Sequence, residues 1–273
     1  MKPIRSGEPM QKITKQLIIR KSDGIGRISF DNQDRRNALN YDMWCGLPVV
    51  LDNFSEDNEV RVIVLSGAGG KAFSAGADIS EFAKKRSGEN AVAIYDSAVA
   101  KATKALALTK KPLIAQIDGF CIGGGLGVAM ACDLRIAATN SRFSVPAARL
   151  GLGYKLQGLK ILVDQVGPAA AKEIFFTARQ FNAEEALQMG LVNRILPAEN
   201  VADYVDDYAR TIASNAPLTV LATKTIVDEI LKDPNSRDLN LCQQVVDDCF
   251  ASDDYKEGRQ AFMEKRKPNF KGR

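Results

Sequence analysis

The chain has 273 residues, 45% of them apolar and 26% charged, which is enough for one or two globular domains with a substantial core. This composition, with 21 glycines and 10 prolines, excludes collagen, a coiled coil and wholesale disorder. The chain contains no histidine. That excludes Ser-His-Asp and Cys-His triads, HExxH zinc sites and any imidazole acting as a general base.

The formal net charge is +4, and the positive charge is concentrated at the two ends. Residues 255–273 include seven basic and two acidic side chains, residues 1–21 are also basic, and the body between them is mildly acidic. We therefore predict no nucleic-acid partner, because no basic face extends over the fold. The basic ends are either solvated tails or small clusters that hold an anion.

The five cysteines form no CxxC pair, and no histidine is present to complete a zinc shell, so we predict no metal site. The basic N-terminal segment is not followed by the apolar run of a secretory signal. Apolar stretches are interrupted by glycine or charge well before about 18 residues, the length that spans a membrane. The sequence therefore predicts a cytoplasmic protein with reduced thiols and no membrane segment.

Extended and helical patterns alternate through the first part of the chain. The predicted strands are 17–20, 26–30, 60–65, 113–117 and 134–138, and the predicted helices are 41–54, 90–108 and a short one that ends near 132. Buried strands separated by helices predict a mostly parallel sheet with right-handed crossovers.

From residue 157 onward helical patterns dominate, with one extended piece at 191–196. Helices are predicted to open near Pro168, Ala183, Glu199, Pro217, Ser236 and Asp254. We predict an α/β core over residues 1–196 and a helical region over residues 197–273.

A glycine cluster at 123–127 follows a predicted strand and opens a helix. Its spacing does not fit the dinucleotide-binding GxGxxG motif, because Leu126 and Val128 occupy the places that need glycine. Bare backbone at a helix N-terminus could instead hold a ligand oxygen that carries negative charge. Close packing of the helix on the strand is an equally good interpretation.

A second candidate loop, residues 71–79, follows the predicted strand 60–65. Loops that leave the carboxyl ends of parallel strands converge on one crevice. Two such loops could aim backbone N–H groups at a single oxygen, which is the geometry of an oxyanion hole.

Four segments together resemble the crotonase, or enoyl-CoA hydratase/isomerase, superfamily. They are residues 72–79 (AFSAGADI), 117–125 (IDGFCIGGG), 131–137 (ACDLRIA) and 264–270 (EKRKPNF). The resemblance extends over nearly the whole chain. It implies a spiral core of ββα units, a helical C-terminal trimerisation region, and a homotrimer or dimer of trimers. It also implies an acyl-CoA thioester as substrate, with coenzyme A as part of that substrate and no separate cofactor.

The resemblance also assigns residues to the site. The backbone N–H groups of Ala77 and Gly124 would form the oxyanion hole for the thioester carbonyl. Seven further residues fall where the family contacts CoA: Arg35, Arg36, Ala75, Asp78, Ile79, Phe262 and Lys265.

The family's acid/base positions are vacant in this sequence. Hydratases of the family use two glutamates, and Gly127 and Ala147 stand in their places. Some isomerases and dehalogenases of the family use an aspartate, and its place holds Lys155. Because hydration needs one group to take a proton from water and another to give a proton to carbon, we expect efficient hydration to fail.

Decarboxylation of a malonyl-type thioester needs donors at the carbonyl oxygen and no carboxylate base, so it is the favoured reaction. The family's methylmalonyl-CoA decarboxylases carry a tyrosine at the place of Tyr154, although they usually keep a glutamate at the place of Gly127 and a histidine at that of Ala77. Tyr154 could orient or protonate the enolate, and Lys155 or Arg149 could attract a substrate carboxylate. Tyr154 could equally be a partly buried aromatic, and the two cations could be surface residues.

Two alternatives stay open. The protein could be an enoyl-CoA hydratase or isomerase with an acid/base outside the family pattern, or a paralogue that binds acyl-CoA without chemistry. The fold alone does not decide among them, because function resides in the site.

Overall fold

A computed structural model describes residues 14–78 and 89–273, and it describes their side chains except at 89–92 and 157. The described part of the chain folds into two sheets surrounded by helices. The strands are β1 (Leu17–Ser22), β2 (Ile25–Phe30), β3 (Val62–Gly67), β4 (Ala72–Ser74), β5 (Leu113–Ile117), β6 (Phe120–Ile122), β7 (Leu134–Ala138), β8 (Arg142–Ser144) and β9 (Arg194–Leu196).

The larger sheet has the order β1-β2-β3-β5-β7-β9, and only the β1/β2 pair is antiparallel. Its central strands are apolar and buried on both faces, which is the pattern of a parallel sheet covered on both sides. One face forms the main core with Ile63 and Leu65, while Val62 and Val64 belong to a second cluster on the other face.

The smaller sheet has the order β4-β6-β8, and all its pairs are parallel. These strands follow β3, β5 and β7, so the chain alternates between the two sheets in repeated ββα units. Because neighbouring strands are parallel, the segments that begin at residues 75, 123 and 145 all leave the same edge of this sheet.

The helices complete each unit and then dominate the C-terminal part. They are α1 (Tyr41–Glu56), α2 (Glu89–Leu108), α3 (Gly124–Met130), α4 (Ala147–Leu150), α5 (Leu156–Thr177), α6 (Ala183–Gln188), α7 (Ala198–Ser214), α8 (Pro217–Ile230), α9 (Leu239–Ala251) and α10 (Asp253–Met263). Helix α7 covers the outer face of the larger sheet with Val201, Val205 and Ala209. Among the described helices, none is both long and apolar enough to cross a membrane.

The mixed α/β architecture with repeated ββα units is confirmed. Strands β5 and β7 have the predicted bounds, and helices α6 and α8 begin at the predicted Ala183 and Pro217. The helix predicted to open near Pro168 is the second half of α5, which breaks at Gly167 where φ is 77°. The division between residues 196 and 197 stays a prediction.

Candidate active site

Two backbone segments meet at the carboxyl edge of the smaller sheet. One contains Ala77 and follows β4, and the other opens at Gly123 and follows β6, which is the neighbouring strand. A Cβ atom built on Gly124 would lie 3.5 Å from the Ala77 nitrogen. The predicted pair of amides is therefore brought together by parallel pairing of β4 and β6.

Neither amide donates a hydrogen bond to another group in the described part of the chain. Leu39 binds the neighbours of Ala77, because its N–H donates to Gly76 O at 2.7 Å and its carbonyl accepts from Asp78 N at 2.9 Å. The Ala77 N–H consequently points away from Leu39. Gly124 is the first residue of α3, where an N–H has no partner within the helix.

Gly76 makes the close approach of the two segments possible. Its φ is 98°, and a Cβ atom there would lie 2.9 Å from Ile122 O and 3.3 Å from Gly124 N. Only glycine combines this backbone conformation with that contact. Sequence reasoning did not select Gly76 or the Leu39 backbone as site elements, although the AGAD sequence around Gly76 could have drawn attention to that glycine.

The side chains next to the amides are small. Gly127 is exposed, its N–H donates to Gly123 O at 3.0 Å, and a Cβ atom there would meet nothing within 4 Å. Ala147 is buried and follows Pro146, whose Cδ lies 3.9 Å from a Cβ built on Gly123. The fold thus brings positions 127 and 147 to the turn at Gly123, and neither residue supplies an acid or base.

Tyr154 lies in the turn between α4 and α5. Its ring packs edge-on against Phe175 with centroids 4.8 Å apart, and the side chain keeps 41% of its surface exposed. Burial raises the pKa of the Tyr154 phenol above its ordinary value, so the phenol holds its proton through neutral pH. Its role in catalysis stays a prediction.

The two predicted cations differ little from ordinary surface residues. Arg149 is exposed at the end of α4. The Lys155 side chain is 82% exposed, and its Nζ lies 4.0 Å from the Asp96 carboxylate on α2. An exposed pair at this distance contributes little to stability, so it leaves Lys155 available to an anionic substrate group.

Several residues predicted to contact CoA surround the Ala77 segment. The Arg35 guanidinium lies 3.7 Å from the buried Asp78 carboxylate. Arg36 stacks over the Phe120 ring at 4.6 Å, and its carbonyl accepts from Ala75 N at 2.9 Å. Ile79 lies outside the described residues.

Phe262 and Lys265 lie in the C-terminal helical region. Phe262 is 87% exposed on α10, and Lys265 is exposed in the turn that follows. The following tail returns to the core, where Phe270 O accepts from Arg61 at 2.8 Å. Arg61 directly precedes β3, so the tail docks at the amino end of that strand, whereas the Ala77 segment leaves the carboxyl end of β4.

A family model described as enoyl-CoA hydratase/isomerase matches residues 20–273. The chain belongs to the enoyl-CoA hydratase/isomerase family. Confirmation of this family also confirms the predicted crotonase-like fold. The members of the family act on CoA thioesters, so this chain is an acyl-CoA enzyme of the crotonase superfamily.

Two relatives and one solved structure place the chain within the family. It is 34% identical to the short-chain-enoyl-CoA hydratase of Clostridium acetobutylicum, over 94% of this chain and 98% of that one. It is also 34% identical to the crotonyl-CoA hydratase of Syntrophomonas wolfei, with 93% and 97% covered. The crystal structure of an enoyl-CoA hydratase from Bacillus anthracis superposes with a TM-score of 0.89 at 31% identity, over 95% of this chain and all of that one.

Proposed function

We propose that this enzyme stabilises a thioester enolate between the N–H groups of Ala77 and Gly124, and that its favoured reaction is decarboxylation of a malonyl-type CoA ester. One observation carries the proposal: two convergent amides, unpaired within residues 14–78 and 89–273, lie close to positions 127 and 147, where glycine and alanine supply no carboxylate. An oxyanion hole without an adjacent acid suits a reaction that generates its own carbanion.

The decarboxylation has two steps. The bond between Cα and the substrate carboxylate breaks, CO2 leaves, and the electron pair moves into the thioester to form an enolate. The two amides stabilise the enolate oxygen, and such a donor lowers the barrier by about 2.7–4 kcal/mol. Cα then takes a proton from water or from the Tyr154 phenol, and solvent restores the proton to the donor.

Charge at the site supports the same substrate class. Gly127 leaves its place open and uncharged, so a substrate carboxylate could lie there without charge repulsion. Lys155 and Arg149 are exposed cations near Tyr154 in the chain, and they would attract an anionic substrate group. The protonated phenol of Tyr154 would serve as the weak acid.

For the rest of the substrate, we assign contacts with CoA to Arg35, Arg36, Ala75, Asp78, Ile79, Phe262 and Lys265. A basic C-terminal segment suits the CoA phosphates. We also propose a homotrimer or dimer of trimers in the cytoplasm. The large apolar side chains exposed on the C-terminal helices, Phe262 and Met263 among them, support subunit contacts in that region.

Hydration of an enoyl-CoA is the second candidate, because two relatives that are 34% identical carry hydratase names. Hydration here would need a proton acceptor and a proton donor from outside positions 127 and 147. A paralogue that binds acyl-CoA without turnover is the remaining alternative.

Mass-spectrometric screening of acyl-CoA esters tests the proposal. We expect methylmalonyl-CoA or ethylmalonyl-CoA to be converted to the acyl-CoA that is lighter by CO2, with crotonyl-CoA left unhydrated. Robust hydration of crotonyl-CoA would establish the second candidate instead. Tight binding of esters without turnover would establish the third.

The Tyr154→Phe variant tests the proton donor separately. We expect the decarboxylation rate to fall at least tenfold, because general acid catalysis by a side chain raises a rate by roughly 10²–10⁴-fold. Unchanged turnover would remove Tyr154 from the mechanism and leave the two amides in place.

A further inference from the structure

Two buried aromatic residues lie behind the paired amides and have no role in the proposed chemistry. Trp44 is 3% exposed on the first turn of α1, and Tyr95 is 2% exposed on α2. Their side chains meet, since the Trp44 indole N–H donates to the Tyr95 hydroxyl oxygen at 3.0 Å.

The Tyr95 hydroxyl connects this pair to the Ala77 segment. It donates to the Leu39 carbonyl at 3.5 Å, and that same carbonyl accepts from Asp78 N at 2.9 Å. Leu39 also holds Gly76 through its N–H. The Tyr95 hydroxyl therefore bonds to the peptide group that orients the Ala77 amide.

The Trp44 indole lies on the open side of Gly124, the other residue of the pair. Its Cζ2 and Cη2 atoms lie 3.4 and 3.7 Å from a Cβ built on Gly124, on the side of Gly124 that also faces Ala77 N. Trp44 is held at the start of α1, where its backbone N–H donates to Asn40 O. The Asn40 side chain caps this helix by accepting from the backbone N–H of Met43.

The geometry points to Trp44 and Tyr95 as positioning residues that hold the Ala77 and Gly124 amides at the separation a single thioester oxygen requires. This inference rests on the proposed function, because it deepens the assignment of those amides as an oxyanion hole. Removing the Tyr95 hydroxyl takes away the acceptor of the indole N–H and one of the two donors to the Leu39 carbonyl, so one change weakens the support on both sides of the amide pair. Small displacements of such groups are costly to their function.

The affinities of two near-isosteric ligands test whether the amide pair binds a thioester carbonyl, without the need for turnover. Acetyl-CoA carries the thioester carbonyl, and S-ethyl-CoA, a thioether, lacks it. If the two N–H groups donate to the thioester carbonyl, the wild-type enzyme binds acetyl-CoA about tenfold more tightly than S-ethyl-CoA in calorimetry, because each hydrogen bond contributes modestly. A general loss of structure weakens the binding of both ligands alike, so the ratio of their two affinities stays unchanged.

The decisive variant is Tyr95→Phe, which removes one oxygen and keeps the ring. We expect the preference for acetyl-CoA to fall to less than twofold, while S-ethyl-CoA binds as in the wild type. Tyr208→Phe is the matched control, because Tyr208 lies on α7 and stacks on Tyr204, and it keeps the wild-type ratio. A Tyr95→Phe variant that retains the full preference overturns the inference and leaves the proposed function intact.

Trp44 supplies a second measurement, because it is the only tryptophan in the chain. We expect acetyl-CoA to shift the tryptophan emission of the wild-type enzyme and S-ethyl-CoA to shift it less. Equal shifts from both ligands would contradict contact between the indole and the carbonyl site. If the wild-type enzyme shows no preference for the thioester at all, the oxyanion hole itself is wrong, and the proposed function fails with the inference.

Discussion

The edge of the smaller sheet and the C-terminal helices differ in how closely they are packed. At the sheet edge, backbone groups approach so closely that Gly76 is required, and the aromatic residues behind them are buried. Helix α9 has no buried residue, and α10 leaves Phe262 87% exposed. The difference shows that the candidate site edge is closely packed, whereas the helical region has apolar surface available to other molecules.

That apolar surface includes a groove of about 780 Å³ between α8, α9, α10 and the tail. Phe250, Phe262, Met263 and Phe270 line it together with Arg259. Exposed aromatic side chains that converge on one groove are typical of an interaction surface. The proposed subunit contacts would give these residues their function.

A pair of matched truncations gives the largest expected contrast between the two regions. Phe143→Ala, at a fully buried position on β8, should lower the free energy of unfolding by about 3–5 kcal/mol in urea titration. Phe262→Ala removes the same side chain from an exposed place and should cost less than about 0.5 kcal/mol in dilute protein. Equal losses of unfolding free energy in the two variants would contradict this difference between the regions. Weaker self-association of Phe262→Ala in sedimentation would support a role for the exposed side chain in subunit contacts.

Gly124→Ala tests the site edge without disturbing the fold. The added methyl would make only ordinary contacts, at 3.4 Å from Trp44 and 3.5 Å from Ala77 N, so the thermal midpoint should be unchanged. It would occupy space between the amides, and we expect kcat to fall about 10²–10³-fold, as when an oxyanion donor is lost. Gly258→Ala, which gains a 3.4 Å contact with Phe270 in the helical region, is the control and should retain full activity.

The Gly127→Glu variant tests whether a carboxylate at the site edge introduces hydratase activity. Since a side chain at 127 meets open space, the variant should fold like the wild type. We expect decarboxylation to fall at least tenfold through repulsion of the substrate carboxylate, and crotonyl-CoA hydration to rise through the new base. Gly127→Gln separates charge from size. If Gln and Glu have the same effect, electrostatic repulsion is not the cause.

The smallest expected effect lies in the tail. Arg266 and the Asn269 N–H bind the Glu257 carboxylate and lower its pKa to about 2. Because the folded-state pKa is depressed, this contribution to stability is present above the ordinary pKa of Glu and is lost as pH falls toward 2. The Glu257→Gln variant should therefore show a smaller decrease in thermal midpoint between pH 5 and pH 3 than the wild type. Identical decreases would mean that the tail pairing does not contribute.

Sequence patterns predicted the strands of the larger sheet and most of the helices, but not the strands of the smaller sheet. Buried apolar runs identified β5 and β7, and helix-start signals identified the starts of α6 and α8. Strands β4, β6 and β8 have three residues each, too few for any period to emerge. In the smaller sheet, which carries the site edge, β4 and β6 are predicted only as a loop and a glycine cluster, and β8 is not predicted at all.

The backbone donors of the candidate site were predicted, but the contacts that support them were not. Backbone donors at Ala77 and Gly124 follow from loops at the ends of parallel strands and from the family resemblance. The bridge from Leu39 to the Ala77 segment joins residues far apart in the chain through backbone atoms, which leave no trace in side-chain identity. The Trp44 to Tyr95 hydrogen bond likewise depends on how α1 and α2 pack.

The Leu39 bridge also links folding to enzyme activity. The candidate site needs the segment around Leu39, the end of β4 and the start of α3 in register at once, so a fragment that lacks any of these three segments lacks the complete site. During refolding, we expect turnover to return only after the helical circular dichroism signal has recovered. Regained activity would then serve as a sensitive assay for completion of the central fold.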